Sequence, residues 1–329
     1  MSDKSSIEMS SQQSRLRSEL LPKNSKARLI VYGLFLLAVV FVLIPQIDIL
    51  IDSITVLRTV SWVYVAAVLV TTVATYFVAA LIYLALSFHP LRYRRTVLVQ
   101  MAGMFVNRLL PSGIGSISVS YLYLRQSGHQ VAQAASVVTV NNALGLLAHV
   151  SVAAMLVLFS SNAFSAVAAP RLPQKTAWLL LFVLAVIVAA LYIAQHFRHK
   201  IVLALRQFIV QLASFRTRKA RLAIAFGAST CLVLLNVLSL MFAVRAVHGN
   251  VNFAVALAVF TSGLIVGTLT PTPGGLGGAE AGLVAALIAY GMPLRTAIAA
   301  AVLYRIISYW FALILGGTAF VVVDRRKYL

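Results

Sequence analysis

Residues 271–293 read PTPGGLGGAEAGLVAALIAYGMP, and residues 107–115 read NRLLPSGIG. Each lies in the middle of an apolar run, 252–292 and 96–124 respectively, and each interrupts it with proline and glycine. Pro111, Gly113 and Gly115 break the first run; Pro271, Pro273, Gly274, Gly275, Gly277 and Gly278 break the second. Proline removes a helix hydrogen bond and glycine admits left-handed dihedrals, so neither run reads as a plain helix. Non-helical backbone at membrane depth persists only when protein buries it or water reaches it.

The rest of the chain supplies the membrane. Of 329 residues, 61% are hydrophobic and 10% charged, against roughly a quarter charged in a soluble domain. Apolar runs long enough for a spanning helix, about 20 residues, recur at 29–47, 60–88, 132–160, 177–195, 222–247 and 296–323. The alternating pattern of a barrel strand is absent, so the expected class is an all-α polytopic membrane protein. The run at 29–47 follows a polar tail and lacks a small-residue cleavage site, unlike a cleavable signal peptide. The expected architecture is six full spans plus two broken re-entrant hairpins. Eight spans result if the second hairpin crosses fully. Residues 1–26 read as a disordered cytosolic tail rich in Ser, Gln and charge, 27–324 as the membrane domain and 325–329 as a short cytosolic end.

A net charge of +20 could signal nucleic acid, but its placement signals topology. Twenty basic residues, including Arg92, Arg94, Arg95, Arg125 and the cluster over 196–221, fall on one side of these spans. Five fall on the other: Arg58, Arg171, Lys175, Arg245 and Arg295. That is a positive-inside bias placing both termini in the cytosol of a cell inner membrane, with no nucleic-acid partner expected. Within 196–221, Ile201, Leu205, Phe208, Ile209 and Leu212 recur at helical spacing among basic residues. That segment reads either as a helix on the inner surface or as an extension of the neighbouring span.

Two alanine-rich helices follow the two breaks, AQAASVVTVNNALG at 132–145 and TAIAAAVLYRIISY at 296–309. By the expected topology the hairpins enter from opposite faces. That is the pattern of an inverted repeat, whose paired broken segments mark a transporter's binding site. Of the seven acidic residues, Glu280 alone lies in an apolar region, and Arg108 and Arg305 are the arginines that lie that deep. A charge in hydrocarbon costs several kcal/mol, so these groups must face partners or water. Glu280 and Arg305 are natural partners, either as a structural pair or as part of a site for a charged group. A helix restarting near Gly277 would aim free N–H groups inward, which suits a phosphate. Gly278 and Gly282 also form a GxxxG spacing that permits close helix approach.

These blocks resemble the transmembrane region of the lysylphosphatidylglycerol synthase family, flippase-like integral membrane proteins. The resemblance spans roughly residues 27–324. It rests on P-x-P-G-G-x-G-x-x-E at Pro271, Pro273, Gly274, Gly275, Gly277 and Glu280. A Tyr304-Arg305 pair on the following helix extends it, as does N-x-x-x-P-x-G-x-G at Asn107, Pro111, Gly113 and Gly115. The chain departs from the family in having Asn141-Asn142 where an acidic–arginine pair is frequent. It also has the neutral SISVSYLYL after the first glycine run. The lysyl-transferring members carry a large soluble catalytic domain that is not found in these residues. The resemblance therefore implies lipid translocation or binding without aminoacyl transfer.

Three functions are consistent with these residues. One is a translocase for a polar, anionic headgroup lipid; another is a non-catalytic membrane partner or lipid-binding subunit, including a homo-oligomer. The third is an enzyme acting on a lipid-linked substrate. Against the enzyme, there is no carboxylate dyad, nucleophile motif or metal-ligand cluster. Cys231 is the lone cysteine, and His196/His199 sit among basic residues, a poor metal site. No cofactor or metal is expected, nor direct ATP use, since no nucleotide-binding loop occurs. The candidate substrate-binding residues are thus Asn107, Arg108, Pro111, Gly113, Gly115, Pro273, Gly274, Gly275, Gly277, Glu280, Tyr304 and Arg305.

Overall fold

A computed structural model describes residues 59–110, 114–159, 215, 218–270, 272–326 and 328. Among these residues every regular element is helical. In chain order they are α1 (Trp62–Leu86), α2 (Tyr93–Leu109), α3 (Ile114–Gln126), α4 (Val131–Phe159), α5 (Lys219–Ala246), α6 (Phe253–Leu269), α7 (Gly278–Ala289) and α8 (Leu294–Arg325). A 3₁₀ turn, Pro273–Gly275, links α6 to α7. Helices α1, α4, α5 and α8 are long and apolar enough to cross a membrane, and they occupy four of the six expected spans. The expected spans at 29–47 and 177–195, the tail 1–26 and the surface helix read over 201–212 lie outside the described residues.

The order of lengths repeats. A long helix of 25 residues, a hairpin of 17 and 13, and a long helix of 29 make up α1–α4. The second set, α5–α8, runs 28, 17, 12 and 32. The packing repeats as well. The two first helices, α1 and α5, form the most extensive helix pair; α2 packs on α3 as α6 packs on α7. Long helix α8 lies along α2 of the other set, and α4 meets α6 through His149 and Thr261, 2.8 Å apart. Both hairpins leave through a glycine in the left-handed region, Gly128 (φ 88°) and Gly291 (φ 87°), where a side chain would be strained.

The repeat is inverted because α1 and α5 run antiparallel. The Ser61 N–H donates to Ala246 O at 2.9 Å at one end. At the other end the Arg218 guanidinium donates to Ser87 O at 3.1 Å. The second end is the basic face, carrying Arg92, Arg94, Arg95, Arg125, Arg218, Lys219, Arg221, Arg325 and Arg326; the opposite face carries Arg245 and Arg295 among the described residues. Hairpin α2/α3 enters and leaves at the basic face. There the buried His129 ring holds the connection after α1. Its Nε2 lies 3.2 Å from Phe88 N and 3.4 Å from His89 N, and its Nδ1 2.9 Å from Leu124 O. Nε2 accepts those backbone protons, and burial pushes the imidazole pKa down, in keeping with an acceptor ring.

Hairpin α6/α7 enters and leaves at the opposite face. With 12 residues, α7 is about 18 Å long, short of a hydrocarbon core of about 30 Å. The two-hairpin form of the expected architecture is therefore the one described, and the eight-span form is not.

Small residues let the hairpin arms close. A Cβ on Gly267 would sit 2.9 Å from the Ala279 Cβ, and one on Gly282 would sit 3.0 Å from Ser262 O. The GxxxG at Gly278 and Gly282 thus faces a second one, Gly263 and Gly267, across the hairpin. At the tip, a Cβ on Gly275 (φ 68°) would come within 2.5 Å of Gly267 O. We expect Gly275→Ala to cost about 1–3 kcal/mol of stability through strain and overpacking. Gly145→Ala on α4, where nothing lies within 4 Å, should be neutral or stabilising by up to about 1 kcal/mol. Melting of the two variants in detergent checks both; equal losses would contradict the close approach at the tip.

Candidate functional site

The two hairpin tips meet beside α8. From the basic face, α2 ends at Leu109 with Arg108 in its last turn. From the opposite face, the turn at Pro273–Gly275 ends α6. Between them α8 relaxes into one π-helical stretch, Ile306–Phe311, a distortion that is common at functional sites.

Arg305 enters that stretch. Its Nε donates to Glu280 Oε1 at 2.6 Å, and its Nη2 reaches Gly274 O at 3.4 Å. The other Glu280 oxygen, Oε2, accepts the Gly277 N–H at 2.7 Å. Glu280 therefore caps its own helix while it pairs with Arg305, and both side chains keep a little access, 17% and 14% exposed. The inward-pointing N–H expected to attract a phosphate is thus already occupied by Glu280.

Arg108 is 8% exposed, and among the described residues it has no carboxylate partner. Its Nη1 donates to Met104 O at 3.2 Å and its Nη2 to Ser308 O. Tyr76 on α1 lies beside the same guanidinium. Tyr309 joins the two halves. Its ring carries the Arg305 guanidinium at 4.6 Å and the Arg108 guanidinium at 5.3 Å, and its hydroxyl donates to Arg108 O at 3.3 Å. Gly274 (φ 59°) lies against that ring; a Cβ there would meet Tyr309 Cε2 at 2.5 Å.

Of the candidate residues, the structure thus brings together Arg108, Gly274, Gly277, Glu280 and Arg305, with Pro273 and Gly275 shaping the tip. It sets others apart. Asn107 Oδ1 lies 3.5 Å from Ser116 N, tying the arms of the first hairpin. A Cβ on Gly115 would overlap the Val106–Asn107 backbone at 2.5 Å, so that glycine serves packing. Tyr304 is buried in the apolar cluster of α1, α5 and α6, and its ring holds neither guanidinium. Pro111 and Gly113 lie outside the described residues. Sequence reading missed Tyr309, although it lies four residues after Arg305, on the same helix face. It missed Tyr76 and the Ser308 carbonyl, for which no local pattern exists.

Fold and site together define a polytopic helical membrane protein built as an inverted repeat with charges buried at its centre. The family model for the lysylphosphatidylglycerol synthase TM region matches residues 28–316, and the chain belongs to that family. A UPF0104 membrane protein of Pyrococcus horikoshii is 28% identical over 132 residues. That stretch is 40% of this chain and 39% of the relative, so the comparison spans well under half of the relative's length.

The pairing itself is testable. Arg305→Gln should destabilise by about 3–5 kcal/mol, because it strands a buried carboxylate. Glu280→Gln strands the arginine but keeps a helix-capping side chain, so its loss should be the smaller. The double variant should lose less than the two summed. Thermal denaturation in detergent measures all three; strictly additive losses would rule out the coupling.

Proposed function

We propose that this protein moves an anionic, phosphate-bearing lipid headgroup between membrane leaflets through the site at the hairpin tips. One observation carries the reading: the buried Arg108 and the largely covered Arg305 share a ring while one carboxylate stands beside them, leaving the cluster with a net positive charge. A lone cation at the centre of a spanning helix costs about 3 kcal/mol. An anion seated against Arg108 offsets that cost.

The arrangement suits transport better than permanent binding. The sites of inverted-repeat transporters lie where discontinuous helices meet, and rocking one repeat against the other exposes the site alternately. The mixture of two bases and one acid limits how tightly any phosphate is held. Acyl chains can stay in lipid while the headgroup enters between the tips. No covalent step is assigned, and the protein is read as a non-enzyme. A lipid-binding subunit of a larger complex is the second reading, since the same cluster would retain a headgroup without releasing it.

The charge asymmetry supports a cytosolic basic face. An impermeant thiol reagent applied to intact cells should label Arg295→Cys and spare Lys219→Cys, each in a Cys231→Ser background. The reverse labelling would invert the topology.

For activity, the purified protein reconstituted in vesicles should speed leaflet exchange of labelled phosphatidylglycerol without ATP, read by leaflet-selective quenching. Arg108→Gln should slow that exchange by about tenfold or more, the equivalent of about 1.4 kcal/mol at the barrier. Exchange no faster than in protein-free vesicles, with phosphatidylglycerol still co-purifying, would favour the lipid-binding subunit.

A further inference from the structure

A polar cleft lies on the basic face, at the other end of the helix that carries Arg108. It is an open cleft of about 230 Å³ lined by Pro90, Leu91, Arg92, Arg95, Tyr123, Gln126, Ser127 and Tyr328. Its floor is the start of α2. Arg92 makes no side-chain cap there and no acidic residue occupies the first turn, so neither takes up the free N–H groups of this turn, and the cleft lies at the positive end of the helix dipole. Arg92 and Arg95 add two guanidiniums from that same turn. The Arg95 guanidinium sits 4.7 Å over the Tyr328 ring, which fixes it at the rim. Tyr123 is buried, with its hydroxyl 3.0 Å from Thr96 Oγ1. Ser127 and Gln126 complete the wall. Tyr328 records the local field: its phenol is held below its ordinary pKa, first by a hydrogen bond from Arg326 and then by the charge of Arg95. No salt bridge among the described residues neutralises either cleft arginine.

We propose that this cleft is a phosphate-binding site at headgroup depth, separate from the site at the hairpin tips. The chemistry that fits is a phosphate ester or free phosphate: a compact anion that can take planar donors from two arginines, N–H groups from a helix start and hydroxyls from the wall. The position favours a lipid as the source. The cleft opens at the end of the apolar helices, on the face with the excess of arginine, where anionic headgroups gather. Helix α2, 17 residues long, runs from this cleft to Arg108, a distance of about 25 Å. A bound headgroup here would occupy one end of the element whose other end forms the tip site. The assignment stands whether or not the protein translocates lipid.

The test reads the cleft locally. Helix-start amides lack intrahelical partners, so they exchange quickly with solvent unless a ligand takes them. Hydrogen exchange of the peptide covering 91–96 is measured on the full chain in phosphatidylcholine nanodiscs. It is repeated with phosphatidylglycerol added to the discs, and again in plain discs with inorganic phosphate. With phosphatidylglycerol, exchange of these amides should slow by about tenfold. Arg92→Gln with Arg95→Gln should abolish the slowing, and Arg94→Gln, off the cleft, should keep it. Should the double variant fold poorly, Arg92→Gln alone, at an exposed side chain, should remove most of the effect. The same pattern with inorganic phosphate alone would identify a free anion as an occupant and still support the site. No slowing with either probe, or slowing that survives the double change, overturns the assignment. Slowing that Arg94→Gln removes equally shows only general surface charge and overturns it too.

Discussion

A charged side chain inside hydrocarbon must be met by protein, and the architecture of this chain follows from meeting three of them. Glu280, Arg305 and Arg108 come from three helices that enter from two faces. Their partners are the features that make those helices irregular. Glu280 needs the free Gly277 N–H that a helix start provides, and Arg305 reaches toward the Gly274 carbonyl at a broken tip. Arg108 uses the Ser308 carbonyl inside the π-helical stretch. Regular helices would leave none of these backbone groups available, because each would bond four residues along. The breaks at proline and glycine and the buried charges are therefore one feature. The interruptions expose backbone dipoles at depth, and the charges satisfy them.

The inverted repeat solves a geometric problem that one hairpin alone cannot. A broken tip at membrane depth must be buried in protein. Here the first hairpin is sheltered by a long helix of the other set, α8 along α2, while the second meets α4 at His149, against Thr261 and Phe260. Small residues make the shelter tight. A Cβ on Gly316 of α8 would lie 2.7 Å from Met101 O of α2, as Gly267 and Gly282 close α6 on α7. Hydrophobic burial does not drive such contacts in lipid; close packing does. That accounts for glycine at helix interiors, where it would otherwise weaken the helix by about 1 kcal/mol each.

Much of this was legible in the sequence because lipid simplifies the code. Long apolar runs had one structural solution, and Pro/Gly breaks inside them had few. The pairing of Glu280 with Arg305 followed from scarcity: with one acid at depth, the arginine had one possible carboxylate. What the sequence hid was three-dimensional choice. Tyr304 and Tyr309 both flank Arg305 on α8, and adjacency favoured the first. The π-helical stretch begins between them and changes the register, leaving Tyr304 in the apolar cluster and Tyr309 against both arginines. Asn107 and Gly115 shared a motif with Arg108, yet they hold the arms of the hairpin while Arg108 reaches out of it. A motif groups residues by position along the chain and does not separate those that shape a turn from those that the turn presents.

The double use of Glu280 links the local geometry to the proposed transport. Its two oxygens are both engaged, one by Arg305 and one by the helix start, so the most favourable anion position at the tips is filled by the protein's own carboxylate. A phosphate arriving at Arg108 would meet a surface already partly neutralised on the Arg305 side. It would be held by one full cation and by the edge of the Tyr309 cluster, not by two arginines and a helix dipole together. Charge-assisted contacts of the full set would bind a headgroup too tightly for release within a transport cycle, since affinity is set chiefly by the rate of departure. On the proposed function, Glu280 would leave the site attractive enough to draw an anion into the membrane and weak enough to let it leave. On this reading the carboxylate is a built-in competitor at the centre of the membrane, which would account for an acid standing in a site proposed to take anions.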